Sequence, residues 1–583
     1  MSIVQSDNCA LPETDREISG AEMVLEAFLR HRVRHVFIFP GGTIAPILDR
    51  IEKRSNIEIV CPRTEQGAGY AALGYGRMTG ETAVFMVTSG PGVTNALTPI
   101  ADAYYDNIPL VVITGQVGTS DMRGDLPIKQ RGFQEVDTVD LMRPITKAAF
   151  LVKDIGELPK VMEEAFFLAR AGRQGPVVVD LPMNVQRGSC RKTSVIARPT
   201  EVLPFVPADR IEILAQWIGQ ARRPLILAGG GIHASGACRE LRLLADKYRI
   251  PVAMSMPGMG AYPSHAPLSL GLCGYAGSQY ANMAIYKADL LIGLGTSFHL
   301  RQTGSLPDQT VGKGRIARID LDPNELRHSR VPLDLEINAD AKAAIAALER
   351  SLQRNDIADR TDWLDQIADW KAQFPLLTGR PGDLPKPQAI IEAINDAVRT
   401  TPVIVTTGVG QHQCWVPRHF EFDAPKRVLL TSSGHGTMGF DLPAAIGAKI
   451  AAPEATVICF VGDGSLQMNI QELATVVERQ LDIKIVVLDN HALSIVAQFQ
   501  RQNWQSHPST GEKYNPDFAA IARAYGIDAI SITTQEGLRQ KLVAAINRKG
   551  PILIHCHVDP KEDLLPMLLG GHRLDDMSTK WSF

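Results

Sequence analysis

Along the chain, short runs of valine, isoleucine and leucine alternate with longer segments in which apolar residues recur every three or four positions. The runs HVFIF, AVFMV, LVVIT, PVVVDLP, PLILAG, DLLIGLG, RIARIDLD, VIVTTG, TVICFVG and IKIVVLD lack regular polar alternation, as expected of strands covered on both faces. Segments such as LPKVMEEAFFLARA and IQELATVVERQL have helical spacing instead. Alternation of this kind predicts an α/β protein whose domains are parallel sheets flanked by helices. Two polar, proline-punctuated stretches, Arg187–Arg210 and Arg354–Pro387, read as linkers. They divide the chain into three domains, 1–188, 189–365 and 366–583, and 583 residues are indeed too many for one core. No short-period repeat is visible, which leaves room for similar domains at the two ends.

Composition adds mainly exclusions. Apolar residues make up 45% and charged residues 21%, and the net charge of −3 gives no electrostatic reason to bind nucleic acid or an anionic membrane. The basic cluster RHRVRH at Arg30–His35 reads as a solvated helix end. Eight cysteines are scattered without a CxxC pair, so a reducing, cytoplasmic compartment is expected. No apolar run is long enough to span a bilayer, and the first twenty residues lack the basic-then-apolar order of a signal peptide.

The chemistry begins at Gly462-Asp463-Gly464-Ser465, between the strand run TVICFV and a helix. A second strand run, IKIVVLD, ends at Asn490, and 490 − 463 = 27. Two parallel strands joined by a helix bring such residues together at the carboxyl edge of a sheet, where open α/β sheets bind ligands. A carboxylate and an amide oxygen are hard ligands suited to Mg²⁺. The glycines let backbone approach a diphosphate, and the helix start offers N–H groups to it.

This spacing resembles the motif of the thiamine-diphosphate enzyme superfamily, whose three-domain fold is then implied. Quotable matches run from HVFIFPGG through TSGPGVTNALTPIADAYYDNIPLVVITGQV to GTMGFDLPAAIGAKIA and GDGSLQMNIQELATVVERQLDIKIVVLDN, and they are most similar to the acetolactate synthase catalytic subunit. The resemblance implies thiamine diphosphate and Mg²⁺, with Asp463, Asn490 and the Ala492 carbonyl as metal ligands. It implies Glu65, after the strand IEIVCPR, as the glutamate that activates the cofactor's aminopyrimidine for removal of the thiazolium proton. Val409, Gly410, Gln411 and His412 match a diphosphate loop. Gly436 belongs to the segment that holds the pyrimidine, and Met438 matches the residue that bends the cofactor. Gly41, Gln116, Phe133 and Lys147 fall on matching segments, the first as a cofactor contact and the others as catalytic residues. Glutamate and diphosphate site would come from different subunits, implying a homodimer or homotetramer; a small regulatory subunit is a further partner of the family.

Simple decarboxylases of the superfamily carry a His pair that helps protonate the acyl carbanion. Phe133-Gln134-Glu135 stands in that region, favouring transfer to a second carbonyl compound. The expected activity is therefore decarboxylation of a 2-keto acid, with pyruvate as donor, and carboligation. Arg301 matches the arginine that grips the acceptor's carboxylate, although His299 and Leu300 replace its two acidic neighbours. Phe499 replaces the tryptophan of the acceptor pocket, and the following RQNWQSHPSTGEKY also departs from the pattern. These departures leave open a diverged lyase or carboligase with another donor or acceptor. In the middle domain Gly229, Gly230, Gly231, Gly295 and Asp320 match positions that imply FAD, which also leaves open a flavoenzyme of the pyruvate-oxidase kind.

Overall fold

A computed structural model describes residues 17–191, 201, 203–376, 379–504, 510–511 and 513–582. Cys9, residues 192–200 of the first linker and 505–509 of the segment after Phe499 lie outside them. The described residues form two compact units, those of 1–72 with 81–200 and those of 73–80 with 201–583.

The first unit is built on a six-stranded parallel sheet. Its spatial order is Glu58–Val60, His35–Phe39, Ala83–Val87, Leu110–Gln116, Pro176–Pro182, Ala148–Leu151. Leu110–Gln116 and Pro176–Pro182 are buried at every position, which explains their continuous apolar runs. The helix Gly20–Arg30 opens with a capping box: Ser19 Oγ accepts from the Glu22 N–H, and the Glu22 carboxylate accepts from the Ser19 N–H. Its buried face, with Val24, Leu25 and Phe28, joins the core beneath the sheet. Each such side chain contributes about 1.5–3 kcal/mol on burial.

The second unit holds two more six-stranded parallel sheets. In the middle one the order is Ser269–Leu272, Val252–Met254, Pro224–Ala228, Leu290–Leu294, Arg315–Asp320, Leu335–Asn338. The C-terminal sheet runs Arg427–Thr431, Val403–Thr407, Thr456–Gly462, Ile483–Asp489, Ile552–His557, Asp528–Ile532. Numbered within each sheet by chain order, the N- and C-terminal sheets share the order 2-1-3-4-6-5, whereas the middle one is 3-2-1-4-5-6. The end domains therefore repeat one topology without visible sequence periodicity.

The topology explains where the singled-out residues fall. Gly41 and Glu65 follow strands His35–Phe39 and Glu58–Val60, and Gln116 ends its own strand. In the C-terminal sheet Val409–His412, Gly436–Met438, Gly462 and Asn490 all lie at or just past carboxyl ends. Among the described residues no helix is long and apolar enough to cross a membrane.

Candidate cofactor and metal site

Strands Thr456–Gly462 and Ile483–Asp489 are neighbours with Gly462 opposite Leu488, so Asp463 and Asn490 meet at one edge. Asp463 starts the helix Asp463–Met468 and is buried, as are Asn490 and Asp489. Asn515 Nδ2 donates to Asp463 Oδ2 at 2.6 Å and to Asp489 Oδ1 at 2.7 Å. Burial pushes the Asp463 carboxyl up to about 6; the Asn515 bond opposes that rise and the Asp489 charge adds to it. Burial would raise Asp489 too, but the hydrogen bonds from His555 and Asn515 outweigh it and hold that carboxyl below the usual range. Two close buried carboxylates are the setting in which a divalent cation is stabilising. Asn490 Nδ2 donates to Ser494 Oγ at 2.6 Å and Asn490 Oδ1 accepts from the Ala492 N–H at 3.3 Å. The amide oxygen keeps a second lone pair for a cation.

Glycines let the strand-end segments of this edge pack closely on one another. A Cβ on Gly464 would stand 2.7 Å from Leu493 and 3.3 Å from Met438 Cε; one on Gly462 would stand 3.2 Å from His412 Nδ1. Ser465 Oγ accepts from the Gly439 N–H at 2.8 Å and donates to Asp441 Oδ2 at 2.8 Å. Asp441 Oδ2 also accepts from the Gly408 N–H, and Asn469 Nδ2 donates to the Gly439 carbonyl. Asp441 and Asn469 thus tie together the segments carrying Gly410, Gly436, Met438 and Asp463. Several buried polar atoms here have no hydrogen-bond partner: Gln411 Oε1, His412 Nε2 and Thr437 Oγ1. Such orphans around a glycine cradle fit a polar ligand. Gln411 uses its other end within the fold, donating to Gln498 Oε1 and the Glu562 carbonyl. Half-buried Phe499 lies one residue further along the helix Ser494–Trp504.

In the N-terminal domain Thr64 caps the helix Glu65–Thr79, its Oγ1 accepting from the Gly67 N–H at 2.9 Å. Glu65 is thereby held buried at the positive end of the helix, its Oε2 accepting from Asn95 Nδ2 at 3.1 Å. Gly41 packs so close to Thr88 that a Cβ would meet it at 2.4 Å. Gln116 is buried, and its Nε2 donates to Asp180 Oδ2 at 3.0 Å and to the Val136 carbonyl at 2.8 Å, anchoring the loop that carries Phe133. Phe133 itself is 86% exposed within the single chain. Lys147 is turned away to the Ala171 carbonyl. The structure therefore links Gln116 to the Phe133 loop without bringing Lys147 to them.

Arg301, in the middle domain, donates to Tyr275 Oη and to Gln413 Oε1 at 3.1 Å, and its guanidinium lies 4.8 Å from the Tyr275 ring centre. These partners are neutral. The cavity it shares with His299, Gln302 and Ser433 measures about 20 Å³. The middle-domain glycines behave otherwise than expected. The N–H groups of Gly229, Gly231 and Gly295 donate to the carbonyls of Leu294, Gly295 and Ile319, each at 3.0 Å. A Cβ on Gly229 would lie 2.1 Å from the Gly295 carbonyl oxygen, and Gly230 packs on Pro257. Asp320 is paired with Arg318 at 2.6 Å and accepts from the Asp322 N–H. Glycines here serve backbone packing between strand ends, and their donors are not directed at a dinucleotide.

Asp441, Asn469, Asp489, Asn515 and His555 had not been singled out in the sequence. Asp441 and Asn469 lie within the matching stretches GTMGFDLP and GDGSLQMN, and Asp489 directly precedes Asn490, so a signal existed for those three. Asn515 and His555 carry none.

Residues 18–141, 211–348 and 408–556 match the family models described as the N-terminal TPP binding, central and C-terminal TPP binding domains of thiamine pyrophosphate enzymes. The chain is 38% identical over 586 residues to the mitochondrial acetolactate synthase of Schizosaccharomyces pombe, covering 95% of this chain and 86% of that protein. Against the acetolactate synthase large subunit of Lactococcus lactis the identity is 38% over 571 residues, with 97% and 96% covered. For the acetolactate synthase isozyme 2 large subunit of Escherichia coli it is 37% over 569 residues, with 97% and 100% covered. The expectation of FAD, and of a flavoprotein, is corrected: the matched central domain is described as a thiamine pyrophosphate enzyme domain, and its glycine donors are engaged in strand-end packing.

Proposed function

The chain belongs to the acetolactate synthase family of thiamine-diphosphate enzymes, and from that premise we propose how its own residues divide the work. The activity is decarboxylation of a 2-keto acid and transfer of the acyl unit to a second carbonyl compound. When bound, thiamine diphosphate supplies a nucleophilic carbon and an electron sink for loss of carbon dioxide. Asp463 and the Asn490 amide oxygen, with the Ala492 carbonyl, would hold Mg²⁺, and the backbone at Val409–Gln411 and Gly462–Ser465 would receive the diphosphate. The observation that carries this assignment is the buried Asp463–Asn490 pair at the edge of adjacent parallel strands.

Glu65, capped into place by Thr64 and hydrogen-bonded by Asn95, holds or yields a proton at Oε2. Met438 supports the cofactor against Gly464. Arg301 binds the acceptor carboxylate: a mostly buried guanidinium whose described partners are all neutral is suited to an anionic partner. Pyruvate is the donor and a 2-keto acid the acceptor in this reading, with half-buried Phe499 bounding the acceptor's side chain. A homodimer or homotetramer supplies complete sites, and the exposed ring of Phe133 suits burial by a partner subunit. A reducing, cytoplasmic compartment belongs to the same proposal, on the scattered cysteines.

The test is a panel of acceptors. Purified protein with thiamine diphosphate, Mg²⁺ and pyruvate is offered 2-keto acids and uncharged aldehydes, and products are identified by mass. Preference for keto acids, abolished in Arg301→Ala, is expected; equal use of aldehydes by both proteins contradicts the acceptor assignment.

A further inference from the structure

Beside the Mg²⁺ ligands, but sharing none of them, a second cluster of donors lies at the carboxyl edge of the C-terminal sheet. Strands Ile483–Asp489 and Ile552–His557 are parallel neighbours with Asp489 opposite His557. His555 and His557 are two residues apart on one strand and so share a face. His555 Nε2 lies 2.8 Å from Asp489 Oδ2, and the two imidazole centres are 4.0 Å apart. One donor atom from each of Asp489, His555 and His557 lies within 4.8 Å of the others.

A plain Asp489–His555 ion pair accounts for only part of this. His555 is 2% exposed, and its Nδ1 has no hydrogen-bond partner. Asp517 Oδ1 stands 3.8 Å from that atom. The histidine in the cluster thus has one nitrogen toward a shared centre and the other toward a carboxylate. That arrangement fixes the tautomer of metal-bound histidines, whose free N–H faces an outer carboxylate. Asn515 occupies Asp489 Oδ1, so Oδ2 is the oxygen left for the centre.

We propose that Asp489, His555 and His557 bind a divalent d-block ion of the zinc class, at a site separate from the Mg²⁺ site. Imidazole nitrogens favour Zn²⁺, Co²⁺ or Ni²⁺ over Mg²⁺, which prefers oxygen. Metal–ligand bonds of about 2.0–2.2 Å place donor atoms roughly 3–3.5 Å apart, so His555 Nε2 and Asp489 Oδ2, at 2.8 Å, need only open slightly to share an ion. Water completes the coordination. Because Asn515 bonds both Asp489 and Asp463, the ion would sit one amide away from the Mg²⁺ ligand.

The experiment uses tag-free holoenzyme saturated with Mg²⁺ and thiamine diphosphate, titrated with Co²⁺ and followed by its visible absorption. One equivalent that Zn²⁺ displaces is expected, lost in His557→Ala and His557→Gln and retained in Asp463→Ala, which is titrated without the cofactor it no longer holds. Asp517→Asn should weaken Co²⁺ binding about tenfold, as loss of an outer carboxylate does. X-ray absorption of the zinc-loaded wild-type protein needs no variant and should show two imidazoles and no sulfur. No cobalt band, a band unchanged in both His557 variants, or a sulfur-ligated zinc overturns the proposal.

Discussion

Asp463 and Asp489, one residue past and at the ends of adjacent strands, are joined through the single side-chain amide of Asn515, which donates to both carboxylates. The contact bridges two buried carboxylates at one sheet edge. It makes the metal–diphosphate assignment concrete, because removing either anion changes what the edge can bind.

Asp463→Ala should therefore abolish retention of thiamine diphosphate while leaving the sheet intact, since the change lies past the strand end. Calorimetric titration with cofactor and Mg²⁺ is the check. Wild-type affinity in the variant would remove Asp463 from the metal site.

Glu65→Gln keeps the shape of the side chain and its place on the helix start but cannot exchange a proton. Cofactor binding should survive and turnover should fall by roughly 10²–10⁴-fold, the usual contribution of a positioned acid–base group. Hydrogen–deuterium exchange at the thiazolium carbon, followed by NMR on quenched samples, reads the step directly. Unchanged exchange would sink the assignment.

Arg301→Ala should spare decarboxylation and weaken capture of the acceptor, on the order of 2–5 kcal/mol if a buried charge pair loses one partner. From pyruvate alone, the ratio of acetolactate to acetaldehyde should drop. A constant ratio would mean that Arg301 does not grip the acceptor, and the replacement of its acidic neighbours by His299 and Leu300 would then point to an uncharged partner.

Asp180 offers a test that depends on no ligand. Burial holds its carboxyl up at about 7 despite hydrogen bonds from Thr114 and Gln116. An unfolded aspartate titrates near pH 4. Between roughly pH 4 and 7 the folded state thus keeps a proton that the unfolded chain has released, so stability falls as pH rises through that window. Asp180→Asn removes the titration, and an Asn oxygen can still accept from Gln116. The variant should gain on the wild type with rising pH, by roughly 4 kcal/mol at pH 7 and above at about 1.4 kcal/mol per pKa unit. Urea midpoints of the N-terminal domain at pH 5 and pH 8 measure this; equal pH dependence in both proteins contradicts it.

The strands and the diphosphate motif were legible because their signals are local. HVFIF, AVFMV and TVICFVG became strands with those bounds, and the 27-residue spacing placed Asp463 beside Asn490 as expected. Lateral order was not legible. His555 meets Asp489 across 66 residues because Ile552–His557 adds beside Ile483–Asp489, while Asp528–Ile532 takes the edge. No local pattern encodes that choice. The middle-domain glycines show the opposite failure, since close packing of two strand ends and a phosphate cradle demand the same residue. Only the direction of the N–H groups at Gly229, Gly231 and Gly295 separates them. IQELATVVERQL, read as one helical segment, is broken into a turn at Ile470–Glu472 and a helix at Leu473–Glu478, with Gln480 at φ +52° ending it.

The most direct measurement of the central claim is a carbon balance from labelled pyruvate. With thiamine diphosphate and Mg²⁺, the account predicts one carbon dioxide released for each new carbon–carbon bond, and loss of both in Asp463→Ala and Glu65→Gln. Carbon dioxide released with acetaldehyde alone, or product formation untouched by either substitution, would contradict it.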